Sequence, residues 1–252
     1  MTPAESQQRA LDALEKLGGK PVVLREDAQL SNQARIHVAA NNDPAHVLTY
    51  HPAATHELPY LVCFQCGLAE RALRSARDER FNVASTSETY SQVQKLVRAK
   101  QTIPEDMVAT YSQMITDGLG VQLRSMPIGI RVDRVLYETH PELRDMQRVI
   151  AERQLKESVG CLSPAIKEMA PELILNASVG MNAALALDWS RLWNEDALVV
   201  PYRLAGYVGL GERLLAPLDA IPDTPHHDRE LVSSWAEILG VDRLYQIGPV
   251  RL

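Results

Sequence analysis

A β-compatible run that passes directly into an amphipathic helix constrains this chain most, and it lies in residues 46–74, HVLTYHPAATHELPYLVCFQCGLAERALR. Leu58, Leu61, Val62, Gln65, Leu68, Ala69, Ala72 and Leu73 recur at three- and four-residue intervals, the spacing that lines one face of an α-helix. Thr55 suits the N-cap, Pro59 falls in the first turn where a missing N–H costs nothing, and Arg71 and Arg74 suit the negative end of the dipole. Gln65 is the only amide on the stripe. A buried amide left unpaired costs about 1–3 kcal/mol, so a polar partner from another element is expected opposite it.

Upstream, Arg35 to Ala40 and Ala45 to Tyr50 flank Asn41-Asn42-Asp43-Pro44, which reads as a hairpin. A helix over 3–17, ended by Gly18-Gly19, and a short strand over 22–25 precede it. Helical patterns dominate after residue 57. They cover 87–100, 105–116 and 131–137, with Gly118-Leu119-Gly120 as punctuation, then a helix opened by His140-Pro141-Glu142, another opened by Ser163-Pro164, and helices over 174–193 and 228–239. Pro222 to His227 is a linker-like break, and 244–252 reads as an added edge strand. The expected class is α+β, a small antiparallel sheet packed on a mainly helical domain, with a core over 1–158 and a helical C-terminal extension over 159–252 packed on it.

The order of strands and helix resembles the core of zincin-type, ImmA/IrrE-like metallopeptidases, in which a sheet edge precedes a helix bearing His-Glu-x-x-His. In that motif two imidazoles one turn apart bind zinc and the glutamate is the general base. Laid on the His-Glu-x-Gly-His form, Phe64-Gln65-Cys66-Gly67-Leu68 keeps the glycine, places Gln65 at the base position and puts Phe64 and Leu68 where the imidazoles stand. Phenylalanine and leucine offer zinc no lone pair, and glutamine accepts no proton from water near neutral pH. Met126 to Glu138 resembles the later helix that carries an acidic third ligand, with Asp133 and Glu138 as candidates. The resemblance covers residues 21–155. It implies a catalytically inactive metallopeptidase-like core that keeps vestigial positions at Phe64, Gln65, Leu68, Asp133 and Glu138. No cofactor is expected of it, and its role is that of a protein-binding or regulatory subunit, the partner being a protein or peptide.

Other readings stand beside this one. The helix is also consistent with a packing element of an unrelated domain, with Gln65 bonded to a neighbouring backbone. An active metal-dependent peptidase would take its ligands from outside this register, and a different hydrolase would draw on Glu57, His56, Cys63 or Asp133, although Glu57 and Glu70 lie off the apolar stripe and are expected in solvent. A zinc set of His51, His56, Cys63 and Cys66 is an alternative whose spacing matches no standard module; buried free thiols are the default reading of the two cysteines. A third reading is a structural subunit of a homo- or hetero-oligomer joined through Trp189, Trp193 and Trp235. Gly206 to Gly211 reads as close helix packing rather than a phosphate loop, His226-His227 as an exposed turn, and Ser178-Val179-Gly180 is no nucleophile elbow.

Composition bounds these choices. The apolar runs are shorter than the ~20 residues a bilayer span needs, and the N-terminal segment is amphipathic, so a cytoplasmic protein with no membrane partner is expected. Three cysteines argue against a disulfide framework. A net charge of -6 gives no general attraction for phosphate backbones. Arg124, Arg131, Arg134, Arg144, Arg148 and Arg153 are interleaved with Asp133, Glu138, Glu142, Asp145, Glu152 and Glu157, so surface pairing, and not direct contact with nucleic acid, is expected of them.

Overall fold

Local chemistry starts and stops many elements of the computed structural model, which describes residues 1–40, 42–76 and 78–249. Thr2 and Glu5 form a reciprocal capping box at the head of α1 (Pro3–Gly18), and Gly19 ends the helix in the left-handed region at φ 67°. Three strands follow: β1 (Val22–Glu26), β2 (Ala34–His37) and β3 (His46–Tyr50). Then come α2 (Leu58–Arg74), β4 (Phe81–Ser85), α3 (Ser87–Lys100), α4 (Glu105–Thr139), α5 (Arg144–Ser158) and α6 (Pro164–Met169). The chain continues through α7 (Glu172–Trp193), α8 (Val200–Leu204), α9 (Val208–Ala220), α10 (Asp228–Leu239) and β5 (Tyr245–Pro249). The class is α+β and mainly helical.

The chain divides into two compact units, Met1–Ala76 with Arg131–Glu152, and Arg77–Ile130 with Arg153–Leu252. The boundary expected after residue 158 therefore lies within the second unit. The reason is topological: α4 leaves the second unit and enters the first, and α5 returns the chain, so neither unit is one continuous segment.

In the first unit the strand order is β1-β3-β2. β2 and β3 form the expected hairpin, with Ala34 opposite Tyr50 and His37 opposite Val47. β1 lies on the other side of β3 and runs parallel to it, Val22 opposite His46, so the sheet is mixed rather than wholly antiparallel. Asn41 of the hairpin turn lies outside the described residues. Leu11 and Leu14 of α1, Leu48 of β3, Leu61, Val62 and Cys66 of α2, and Val132, Leu136, Leu143 and Ile150 from the later segment share one core. A Cβ on Gly67 would stand 2.8 Å from Val132 Cγ1, so the glycine permits close approach of α2 and α4.

In the second unit β4 pairs antiparallel with β5, Phe81 opposite Pro249. The closing strand is thus paired, although residues 250–252 lie outside the described residues, and its partner β4 was not expected from sequence. α4 is one helix of 35 residues, not the two expected over 105–116 and 131–137. Gly120 is no punctuation: a Cβ there would come 3.0 Å from Tyr245 Cε1, and the bare backbone seats that ring. Pro127 lies inside α4 and removes one helical hydrogen bond, while buried Leu119, Leu123 and Ile130 hold the helix on either side.

α7 is buried nearly all round, as its composition implied. A Cβ on Gly211 of α9 would stand 3.0 Å from the Ala183 and Ala184 backbone, so this glycine serves the helix packing expected of the run, whereas a Cβ on Gly206 or Gly209 would meet nothing within 4 Å. Trp189 and Trp235 are 1% and 0% exposed, and the Trp193 ring stacks on Trp189 at 4.6 Å between centroids. Trp189 and Trp235 are core, so an oligomer interface cannot be built from them, while Trp193 is half-buried. No helix among the described residues is long and apolar enough to cross a membrane.

Candidate functional site

The helix that carries the sequence argument begins later than expected. Thr55 does not cap α2; its hydroxyl donates to the Pro52 carbonyl at 2.7 Å within a short 3₁₀ turn, and Glu57 occupies the cap position without a side-chain cap bond. Pro59 keeps its place in the first turn. Glu57 is buried rather than solvated, next to the positive end of the α2 dipole, and its Oε2 has no hydrogen-bond partner among the described residues. Glu70 is half-buried and pairs with Arg74 at 3.2 Å. The buried residues of α2 are Tyr60, Leu61, Val62, Cys63, Cys66 and Ala69, whereas Ala72 is exposed. The buried face is therefore turned by about a quarter of the helix circumference from the expected stripe.

Gln65 lies at the margin of that face and is half-buried. Its Nε2 donates to the Ala34 carbonyl of β2 at 3.2 Å, which supplies the polar partner its position demanded. The ladder shows which side of β2 this carbonyl occupies. His51 N–H donates to the Gln33 carbonyl at 2.9 Å, and Gln33 is the residue opposite His51 when Ala34 is opposite Tyr50. Antiparallel pairs alternate between bonded and non-bonded, so Gln33, Arg35 and His37 face β3 while Ala34 and Ile36 turn their N–H and C=O groups outward. β2 is an edge of the sheet, and Gln65 holds one carbonyl of its free side.

On another side of α2, the Tyr60 hydroxyl donates to Asp133 Oδ1 at 2.6 Å, and Gln147 Nε2 donates to the same oxygen at 3.0 Å and to the Asp133 carbonyl at 2.9 Å. Burial, reinforced by the Asp133 charge and hydrogen bond, pushes the Tyr60 phenol well above its usual range, so it remains a donor. The Phe64 ring lies 6.0 Å from that of Tyr60, one turn along α2. Phe64 and Leu68 are half-buried and pack against the core of the first unit. The fold thus brings Phe64 and Asp133 to neighbouring positions through Tyr60. Glu138 is exposed, and five residues along a helix place it about 140° around α4 from Asp133, so the two acidic candidates do not share a face. Tyr60 and Gln147 escaped the sequence reading. Tyr60 carried a signal, since it lies four residues before Phe64, but Gln147 comes from a helix whose placement no local pattern records.

The alternative zinc donors are placed apart in role. His51 Nδ1 accepts the Ala53 N–H at 3.1 Å, and His56 is exposed. Cys63 and Cys66 are buried free thiols, as expected. Burial, with the Glu142 charge, pushes the Cys63 thiol up to about 12; burial, with Cys63 and Glu70, does the same for Cys66. Among the described residues no three His, Cys, Asp or Glu side chains gather as a metal ion requires. His226 is exposed and meets Glu79 at 2.5 Å, while His227 Nδ1 lies 2.7 Å from the Thr224 hydroxyl; both histidines line an open cavity with Asp78, Glu79, Arg229 and Glu230. Ser178 donates to Gln122 Oε1 at 2.9 Å in a helix-to-helix bond. Comparison of the chain with protein-family models, with curated proteins and with solved structures finds no match.

Proposed function

We propose that this chain is a catalytically inactive, metallopeptidase-like protein that acts as a protein-binding or regulatory subunit and takes an extended segment of its partner along the free edge of β2. The bond from Gln65 to the Ala34 carbonyl carries the reading. It sets an edge strand with outward backbone groups beside Gln65, the residue that the zincin register would assign to the general base. An added strand gains main-chain hydrogen bonds from Ala34 and Ile36, and Gln65 gives up one carbonyl in exchange. Phe64 and Leu68, half-buried against the core of the first unit, carry no metal-ligating atom. Zincin-type hydrolysis needs a proton acceptor at position 65 and lone pairs at 64 and 68, and these side chains supply neither.

Selection from a displayed library of random peptides, followed by fluorescence anisotropy on the full chain, tests this. Ile36→Pro removes an outward N–H while leaving the bonds to β3 intact; because the half-buried Ile36 side chain also packs against the core, Ile36→Ala is the control, and the proline variant should bind a selected peptide roughly tenfold more weakly than that control. Equal affinity in the two variants, or stoichiometric zinc accompanied by metal-dependent peptide cleavage, would overturn the proposal.

A further inference from the structure

Along the outer face of α4, within the second unit, Met107, Met114 and Val121 are 54%, 60% and 66% exposed. They are spaced seven residues apart, which is two helical turns, so they stand in one row about 21 Å long. Thr110 and Gly118 fill the places between them, Ser125 follows Val121 on the same line, and all three are exposed. A Cβ on Gly118 would meet nothing within 4 Å. Asp106, Asp117 and Arg124 stand along one flank, all exposed. Large apolar side chains at heptad spacing form the seam of a two-helix pair.

The row is complementary to itself. When a second α4 is laid antiparallel on it about a two-fold axis through Met114, Met107 meets Val121 and Met114 meets its own copy. Thr110 then falls against Gly118, where the missing side chain leaves room, and Asp106 comes within reach of Arg124 at each end. Asp117 falls across from Gln113, so no like charges are opposed. We propose that the occupant of this face is a second copy of this chain, paired antiparallel through α4. The inference is independent of the peptide-binding reading, since the row and the β2 edge belong to different units. A single helix pair of this length covers less than the ~800 Å² per partner of a standard interface, so monomer and dimer should exchange at concentrations on the order of tens of micromolar.

Sedimentation equilibrium of the full chain across that range should show reversible dimerisation. Met114→Glu places two carboxylates on the axis and should leave only monomer, with the thermal midpoint unchanged because the position is exposed. Arg124→Glu should weaken the dimer, and adding Asp106→Arg should restore it. Register is read by oxidation: Met114→Cys should link to itself, whereas Val121→Cys should link only when mixed with Met107→Cys, against a wild-type control for the native thiols. A wild-type chain that stays monomeric throughout, or a dimer that survives Met114→Glu, overturns the proposal.

Discussion

His46 illustrates what a single side chain is asked to do in this fold. It is 1% exposed; Nδ1 accepts the Ala39 N–H at 3.0 Å, and Nε2 is buried with no partner among the described residues. A Cβ on Gly18 would collide with the ring, so the glycine makes its seat. With Nδ1 accepting, the neutral ring carries its proton on Nε2, and the charged form would have to give up the Ala39 bond. Burial, followed by the charges of Lys20 and His37, pulls its pKa below the usual histidine value. The unfolded chain therefore takes up the proton first as pH falls. The contribution to stability is complete above the unfolded pKa, about 6.5, and is lost as pH falls from there through the lowered folded value. Urea unfolding at pH 7.5 and 5.5 should show a larger loss for wild type than for His46→Gln. Equal losses would show that another group sets the slope.

At the scale of elements, two glycines that look alike in sequence differ in what surrounds them. Gly67→Ala gains about 1 kcal/mol of helix propensity but drives a methyl group into Val132, an overpacking that costs about 1–3 kcal/mol, so net destabilisation by about 1 kcal/mol is expected. Gly118→Ala meets open space and should stabilise by up to about 1 kcal/mol. Denaturant midpoints of the two variants, measured on dilute protein, decide both. The same contrast explains what the sequence could reveal. α6 was legible because Ser163 caps it locally, α3 was legible from its helical pattern, and the need of Gln65 for a partner was legible from its place on an apolar stripe. The continuity of α4 was hidden because Gly118 and Gly120 read as a break, whereas Tyr245, far along the chain, is what makes Gly120 useful. β4 was hidden because five residues specify a strand only once their partner is known. The outward side of β2 depends on a ladder parity that no residue pattern records.

At the scale of the whole molecule, the chain passes between its units after Ala76, Ile130 and Glu152. The core of the first unit takes Val132, Leu136, Leu143 and Ile150 from residues beyond the first crossing. A fragment of residues 1–76 should therefore lack cooperative unfolding by circular dichroism, and joining Ala76 to Arg131 through a flexible linker, ending at Glu152, should restore it. If the short fragment melts cooperatively by itself, the shared core is dispensable. The second unit has a timing problem of its own. The Thr89 hydroxyl, four residues past β4, bonds to the Leu244 carbonyl just ahead of β5 across 155 residues of chain. At translation speeds of 5–20 residues per second, that interval is roughly 8–30 s. For that long a nascent β4 offers its backbone to any neighbour on the polysome, and the asparagine at its second position and the serine at its end are modest protection while it waits.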